Sequence, residues 1–271
     1  MKLLAIIVGA DSAPACLDAA AIAATSLGGA SVEALNVVVD PEHIVAPSEE
    51  IAFQQLRERD EGTAQERADA AHAAFVSWHA EAGEPTPRME WWSIVGTEEA
   101  VVTQEAAKAD ALIVIARERT MDTADALHAA IFSTDKPALI VPPGWRANGR
   151  TRFAHMAVGL SDSDNARHAI EHAAPWLRVA ERVTAIHVGK AGDPALQLEA
   201  LLDSICIRHE RRIVPRVGDN LGAQLVAEAK AVEADLLVTG AYRHNQLIEW
   251  LLGGTTRHIL AAADMPLLMA H

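Results

Sequence analysis

Ile6-Ile7-Val8-Gly9-Ala10-Asp11-Ser12 reads as an apolar strand that breaks at glycine into an acidic, hydroxyl-bearing turn, with an alanine-rich helical stretch behind it. Met156-Ala157-Val158-Gly159-Leu160-Ser161-Asp162-Ser163 repeats that passage in the second half of the chain. From this pair the rest of the sequence falls into register. A strand follows each helix, at 32–39 and 183–188, and then Val95-Gly96 and Val217-Gly218 each lead into a further helix. Ala109-Asp110-Ala111-Leu112-Ile113-Val114-Ile115-Ala116 is answered by Ala234-Asp235-Leu236-Leu237-Val238-Thr239-Gly240-Ala241. Each half closes on a proline-led strand, 137–141 and 266–269. Landmarks repeated in one order mark a duplicated domain.

Strands buried on both faces read as continuous apolar runs, as residues 3–8 do. Alternating strands and helices require parallel pairing through right-handed crossovers. The expected fold class is α/β: two tandem open, mainly parallel five-stranded sheets with helices on both faces, related by a pseudo-twofold axis. In the first half the strands fall at 3–8, 32–39, 90–95, 112–115 and 138–141. Asp11 and Ser12 can cap the first helix, Pro14 suits its first turn, and Gly28-Gly29 ends it. Residues 48–82 are helical with an interruption near Gly62, after which Ala71, Phe75, Trp78 and Ala82 share one face. Trp91-Trp92 begins a strand, so the two rings should point to opposite faces. The second half has a shorter connection between its second and third strands, about 190–211. Pro142-Pro143-Gly144 through Asn148-Gly149 is the connector, which gives domains 1–148 and 149–271.

A chain of 271 residues suits two domains, each large enough for its own core. No apolar run approaches the roughly 20 residues of a membrane span. With no signal-peptide pattern and only Cys16 and Cys206, one per half, the expectation is a cytoplasmic protein with reduced thiols. A formal charge of −14 argues against nucleic acid or an anionic membrane as partner. His168 and His172 lie four apart on an expected helix, but no third ligand is evident nearby, so no metal set is assigned.

Ligands of open parallel sheets bind beyond the carboxyl ends of the strands, where strand order reverses. That points to the loops after the first and fourth strands of each half. In the second half the fourth strand runs into Gly240-Ala241-Tyr242-Arg243-His244, and later come Gly253-Gly254-Thr255-Thr256-Arg257. A glycine lets backbone approach a ligand, and the amides of a Gly-Gly-Thr-Thr segment opening a helix form a natural phosphate cradle.

On these residues the chain resembles the universal stress protein family, specifically its tandem bacterial members, with an adenine nucleotide alpha hydrolase-like fold. The family pattern is Gly, two residues, Gly, nine residues, Gly, then Ser or Thr; Gly240 matches its first glycine and Gly253 its third. Residues 262–269 are similar to the family's closing stretch. Departures fall where phosphates would sit: Arg243 replaces the second glycine, and Gly254 takes the hydroxyl position with Thr255 one residue late. Nucleotide-binding members have an aspartate after the first strand; Asp11 matches it, whereas the second half has Ser161 with Asp162 beside it. The first half has no glycine in Ala116-Arg117-Glu118-Arg119-Thr120.

The resemblance implies a stress-response binding or interaction module with a degenerate nucleotide site and an unidentified protein partner. No cofactor is expected as a fixture. ATP or AMP with Mg²⁺ has a place only in the second domain, and slow ATP hydrolysis there is the alternative. Its residues would be Gly240, Arg243, Gly253, Gly254 and Thr255, with Ser161 and Asp162 across the cleft and His187 and Val188 bordering the base. Arg243 would either pair with phosphate or block it, and blockage is the reading preferred. No catalytic pair emerges: Walker-type and Gly-x-Ser-x-Gly loops are absent from the sequence. The resemblance also implies that the strands at 138–141 and 267–269 meet, making a pseudo-dimer within one chain and leaving a homodimer open.

Overall fold

The computed structural model describes residues 1–83, 87–117, 124–241 and 255–270. The chain divides into two compact units, Met1–Lys136 with Val141–Gly149, and Pro137–Ile140 with Arg150–His271.

In the first unit β1 (Lys2–Ile6) pairs in parallel with β2 (Ser31–Val38) and with β4 (Ile113–Ala116), and β2 pairs in parallel with β3 (Met89–Val95). The second unit repeats the plan. There β6 (His155–Gly159) lies in parallel between β7 (Arg182–Val188) and β9 (Leu236–Gly240), with β8 (Glu210–Val214) beyond β7 and β10 (Leu267–Ala270) beyond β9. The chain therefore reverses its direction of winding between β1 and β4, and again between β6 and β9. The α/β class and the repeated parallel sheet are as expected.

The closing strand β5 (Ala138–Val141) pairs antiparallel with β10, Ile140 opposite Leu267 and Ala138 opposite Met269. The two closing strands thus meet through a backbone ladder. Residues 137–140 consequently count with the second unit, although Arg117 of the first donates its backbone N–H to the Val141 carbonyl at 2.8 Å.

Composition explains the helices. In α1 (Ala13–Ser26) small residues bury Ala13, Ala19, Ala20 and Ala23 completely, so the helix lies close on the sheet. The helical stretch after β2 is broken into α2 (Ser48–Glu61) and α3 (Ala64–Glu81) by Gly62, whose φ of 86° favours glycine. Thr63 restarts the helix with a capping box: its side chain accepts from Glu66 N, and the Glu66 carboxylate accepts from Thr63 N. Phe75 is buried against Trp91, with ring centroids 5.4 Å apart, while Trp92 is 52% exposed. The paired tryptophans do point opposite ways. Trp78, on the same helix as Phe75, donates to Asp18 on α1 at 2.7 Å.

The other helices among the described residues are α4 (Glu98–Ala106), α5 (Ala124–Phe132), α6 (Asp164–Leu177), α7 (Leu198–Ser204), α8 (Leu221–Ala231) and α9 (Thr255–Ala262). Only α7 and a preceding 3-10 turn join β7 to β8, where the first unit has both α2 and α3. Among the described residues, no helix is long and apolar enough to cross a membrane.

Candidate functional site

The carboxyl ends of β6 and β9 lie side by side in the second unit, with Val158 opposite Val238. After β6 the chain turns through half-buried Ser161 and exposed Asp162 to Ser163, the N-cap of α6. Ser163 Oγ accepts from Ala166 N at 3.2 Å and lies 3.1 Å from Ser161 Oγ. Gly240 closes β9 directly against this helix start. A Cβ added there would stand 2.6 Å from Ala166 N and 2.7 Å from the Asn165 carbonyl carbon, backbone atoms that cannot swing aside. Asn165 then donates its side-chain amide to the Ala241 carbonyl. The glycine that the sequence pattern assigns to ligand approach therefore has a packing reason of its own.

Val188 ends β7 half-buried, opposite Val214. The next loop closes on its neighbour His187, whose Nε2 is 2.9 Å from Asp193 Oδ2. Asp193 also accepts from Lys190 N at 2.8 Å, and that backbone bond, followed by the His187 contact, holds its carboxyl below the usual carboxylate range. Thr255 opens α9 half-buried, with Thr256 buried behind it and no acidic residue in the first turn. α8 reaches this helix start through Gly222, where a Cβ would stand 2.5 Å from the Thr255 carbonyl. Ser161, Asp162 and Gly240 thus share the crevice between β6 and β9. Thr255 begins a neighbouring helix, and Val188 stands one strand away. Arg243, Gly253 and Gly254 lie outside the described residues.

The first unit fills the equivalent places differently. Asp11 is exposed, and Ser12 turns its hydroxyl back to the Gly9 carbonyl at 3.2 Å rather than capping α1. The expected side-chain cap fails because Ser12 has helical dihedrals, φ −89° and ψ −18°, whereas a capping residue normally adopts extended ones. Beyond β4, burial pushes the half-buried Arg117 guanidinium below its ordinary pKa. The helix after the fourth strand, counterpart of α9, is α5, and its Ala126 N donates to Glu98 Oε2 at 2.9 Å. A helix end that could offer its amide to a phosphate is occupied by a carboxyl group of the protein itself. Burial pushes Glu98 up to about 7, against the pull of that amide; Asp125 and Glu50 add to the rise and Arg57 opposes it.

Glu98, Asn165 and the buried Gln54 of α2 were not singled out by the sequence pattern. Glu98 reads as an ordinary first-turn acid of α4, and only its contact with a helix 28 positions away gives it a role. The short basic cluster at 209–212 is engaged within the fold. Arg212 pairs with Glu228 at 2.6 Å, and Arg211 pairs with Glu199.

Repeated α/β units, each with a mainly parallel sheet and a crevice where strand order reverses, define a tandem open α/β fold. Residues 206–271 match the sequence model of the Universal stress protein family. The whole chain has the fold of a universal stress protein from Archaeoglobus fulgidus DSM 4304, at 14% identity, a TM-score of 0.64, and coverage of 99% of this chain and 95% of that one. It is similar in fold to a protein of unknown function from Pseudomonas aeruginosa PAO1, at 13% identity and a TM-score of 0.57, covering 99% and 92%. No curated protein matches the sequence significantly.

Proposed function

We propose that the chain is a non-catalytic stress-response binding module of the universal stress protein kind, which acts by engaging a protein partner and whose nucleotide site is degenerate. One observation carries this reading. Two backbone amides at helix starts beside the crevices, Ala126 N and Ala166 N, are already engaged by Glu98 and Ser163. Gly240 adds support, because its missing side chain makes room for α6. The reading is supported by β3, which pairs only with β2 among the described strands and exposes Trp92 and Val95, apolar side chains that a partner would cover.

A second reading is ATP binding, with slow hydrolysis, at the second unit. The start of α9 favours it, since Thr255 and Thr256 open a helix that has no acid in its first turn. Arg243→Gly separates the readings, because it restores the family pattern at a single position. Equilibrium binding of ATP and AMP, with and without Mg²⁺, is expected to be undetectable at millimolar ligand in the native chain and to appear in the variant as the block is lifted. Binding by the native chain that weakens in the variant would instead make Arg243 a phosphate partner and favour the second reading.

A further inference from the structure

The first unit holds a pocket of about 360 Å³ where the N-terminal ends of α2, α4 and α5 converge. That volume lies at the lower end of the range of small-molecule sites. Glu50, Gln54, Glu98 and Asp125 stand on its wall beside Pro47 and Phe53. A group of carboxylates alone marks no more than a solvated acidic face. Gln54 adds an independent sign.

Gln54 is only 4% exposed, and its Nε2 donates to Glu50 Oε1 at 3.0 Å. That bond fixes the orientation of the amide, since a flipped amide would set two oxygens against each other. Its Oε1 is left buried and without a hydrogen-bond partner among the described residues. A buried acceptor in this state is a standing penalty that a ligand's N–H would relieve. The ligand must donate hydrogen bonds, and the surrounding carboxylates require it to be positive. Among the described residues, no three His, Cys, Asp or Glu side chains come together as a metal shell. Pro47 and Phe53 suit an alkyl stem better than a bare ion.

We infer that this pocket binds a small organic cation, a primary alkylammonium whose N–H groups donate to Gln54 Oε1 and Glu98 while its chain lies against Pro47 and Phe53. The net charge of −14 would draw such a ligand in. Glu98 titrates near 7, so a bound ammonium pulls it to the ionised form, and binding tightens as pH rises. The charged groups that act on Glu98 from the elements around it are Glu50 and Arg57 of α2 and Asp125 of α5, with Glu99 next to it on α4. This inference stands apart from the nucleotide reading, because it concerns another unit and another ligand chemistry.

Isothermal titration of the full chain with 1,4-diaminobutane tests it, with 1,4-butanediol and MgCl₂ as companion titrants. Saturable binding of the diamine is expected, tighter at pH 8 than at pH 6, with none of the diol. Glu98→Gln and Gln54→Leu should each weaken it by at least about tenfold, as loss of a buried partner to a charge does. Glu98→Gln should also flatten the pH dependence. Circular dichroism melts establish that both variants fold, and a variant that does not fold leaves the other to decide. Absence of saturation at millimolar diamine, equal binding of the diol, displacement of the diamine by equimolar Mg²⁺, or unchanged affinity in the folded variants would overturn the inference.

Discussion

At the residue scale, Gly240 shows how one position can satisfy two readings. Its place after β9 matches a phosphate-binding pattern, yet a Cβ there would collide with Ala166 N at 2.6 Å and with the Asn165 backbone. Gly240→Ala must therefore shift the start of α6 or the end of β9, and a destabilisation of about 1–3 kcal/mol is expected, as for other overpacked sites. Urea denaturation of the variant measures it. An unchanged midpoint would return the glycine to a role in ligand approach alone. Ser12 teaches a related lesson: its sequence context suits a cap, but only the backbone dihedrals decide whether its hydroxyl can reach the helix amides.

At the scale of elements, the bond from α4 to α5 has a consequence that depends on pH. Glu98 rises from its ordinary 4.5 to about 7 in the fold, so the folded chain holds the extra proton between those values. The stability this lends is fully present below about pH 4.5 and is lost as pH rises through about 7. Glu98→Gln keeps an acceptor for Ala126 N and removes the titration. It should erase that decline and stabilise the chain at pH 8 by up to the order of 2–3 kcal/mol, read from denaturation curves across pH. A variant whose stability follows the same pH curve as the native chain would contradict this assignment.

The elements themselves were largely legible. Apolar runs gave the strands, and the break at Gly62 with Thr63 and Glu66 behind it could be read locally, because capping and positive φ are properties of a few adjacent residues. The meeting of the closing strands followed from the resemblance and is seen as the Ala138–Met269 and Ile140–Leu267 pairs. What could not be read were the meetings of distant helices. Nothing in the local pattern around Glu98 says that it reaches Ala126, or that Gly222 makes room for the Thr255 carbonyl. Periodicity reports which face of a helix is buried, and is silent on which other helix that face meets. The crevice at the ends of β6 and β9 was legible as a place in the fold, and the state of the amides beside it was not.

For the whole molecule, the duplication has left two units of one plan with different residues at their crevices. The first keeps Asp11 and closes its fourth-strand helix with Glu98; the second keeps Gly240 and spends it on α6. On this account neither unit holds adenine nucleotide under ordinary conditions. Thermal unfolding of the full chain with millimolar ATP, with and without Mg²⁺, tests that claim most directly. The account predicts no change in midpoint. Stabilisation by roughly 2.7 kcal/mol, which linkage gives at one hundred times the dissociation constant, would contradict it.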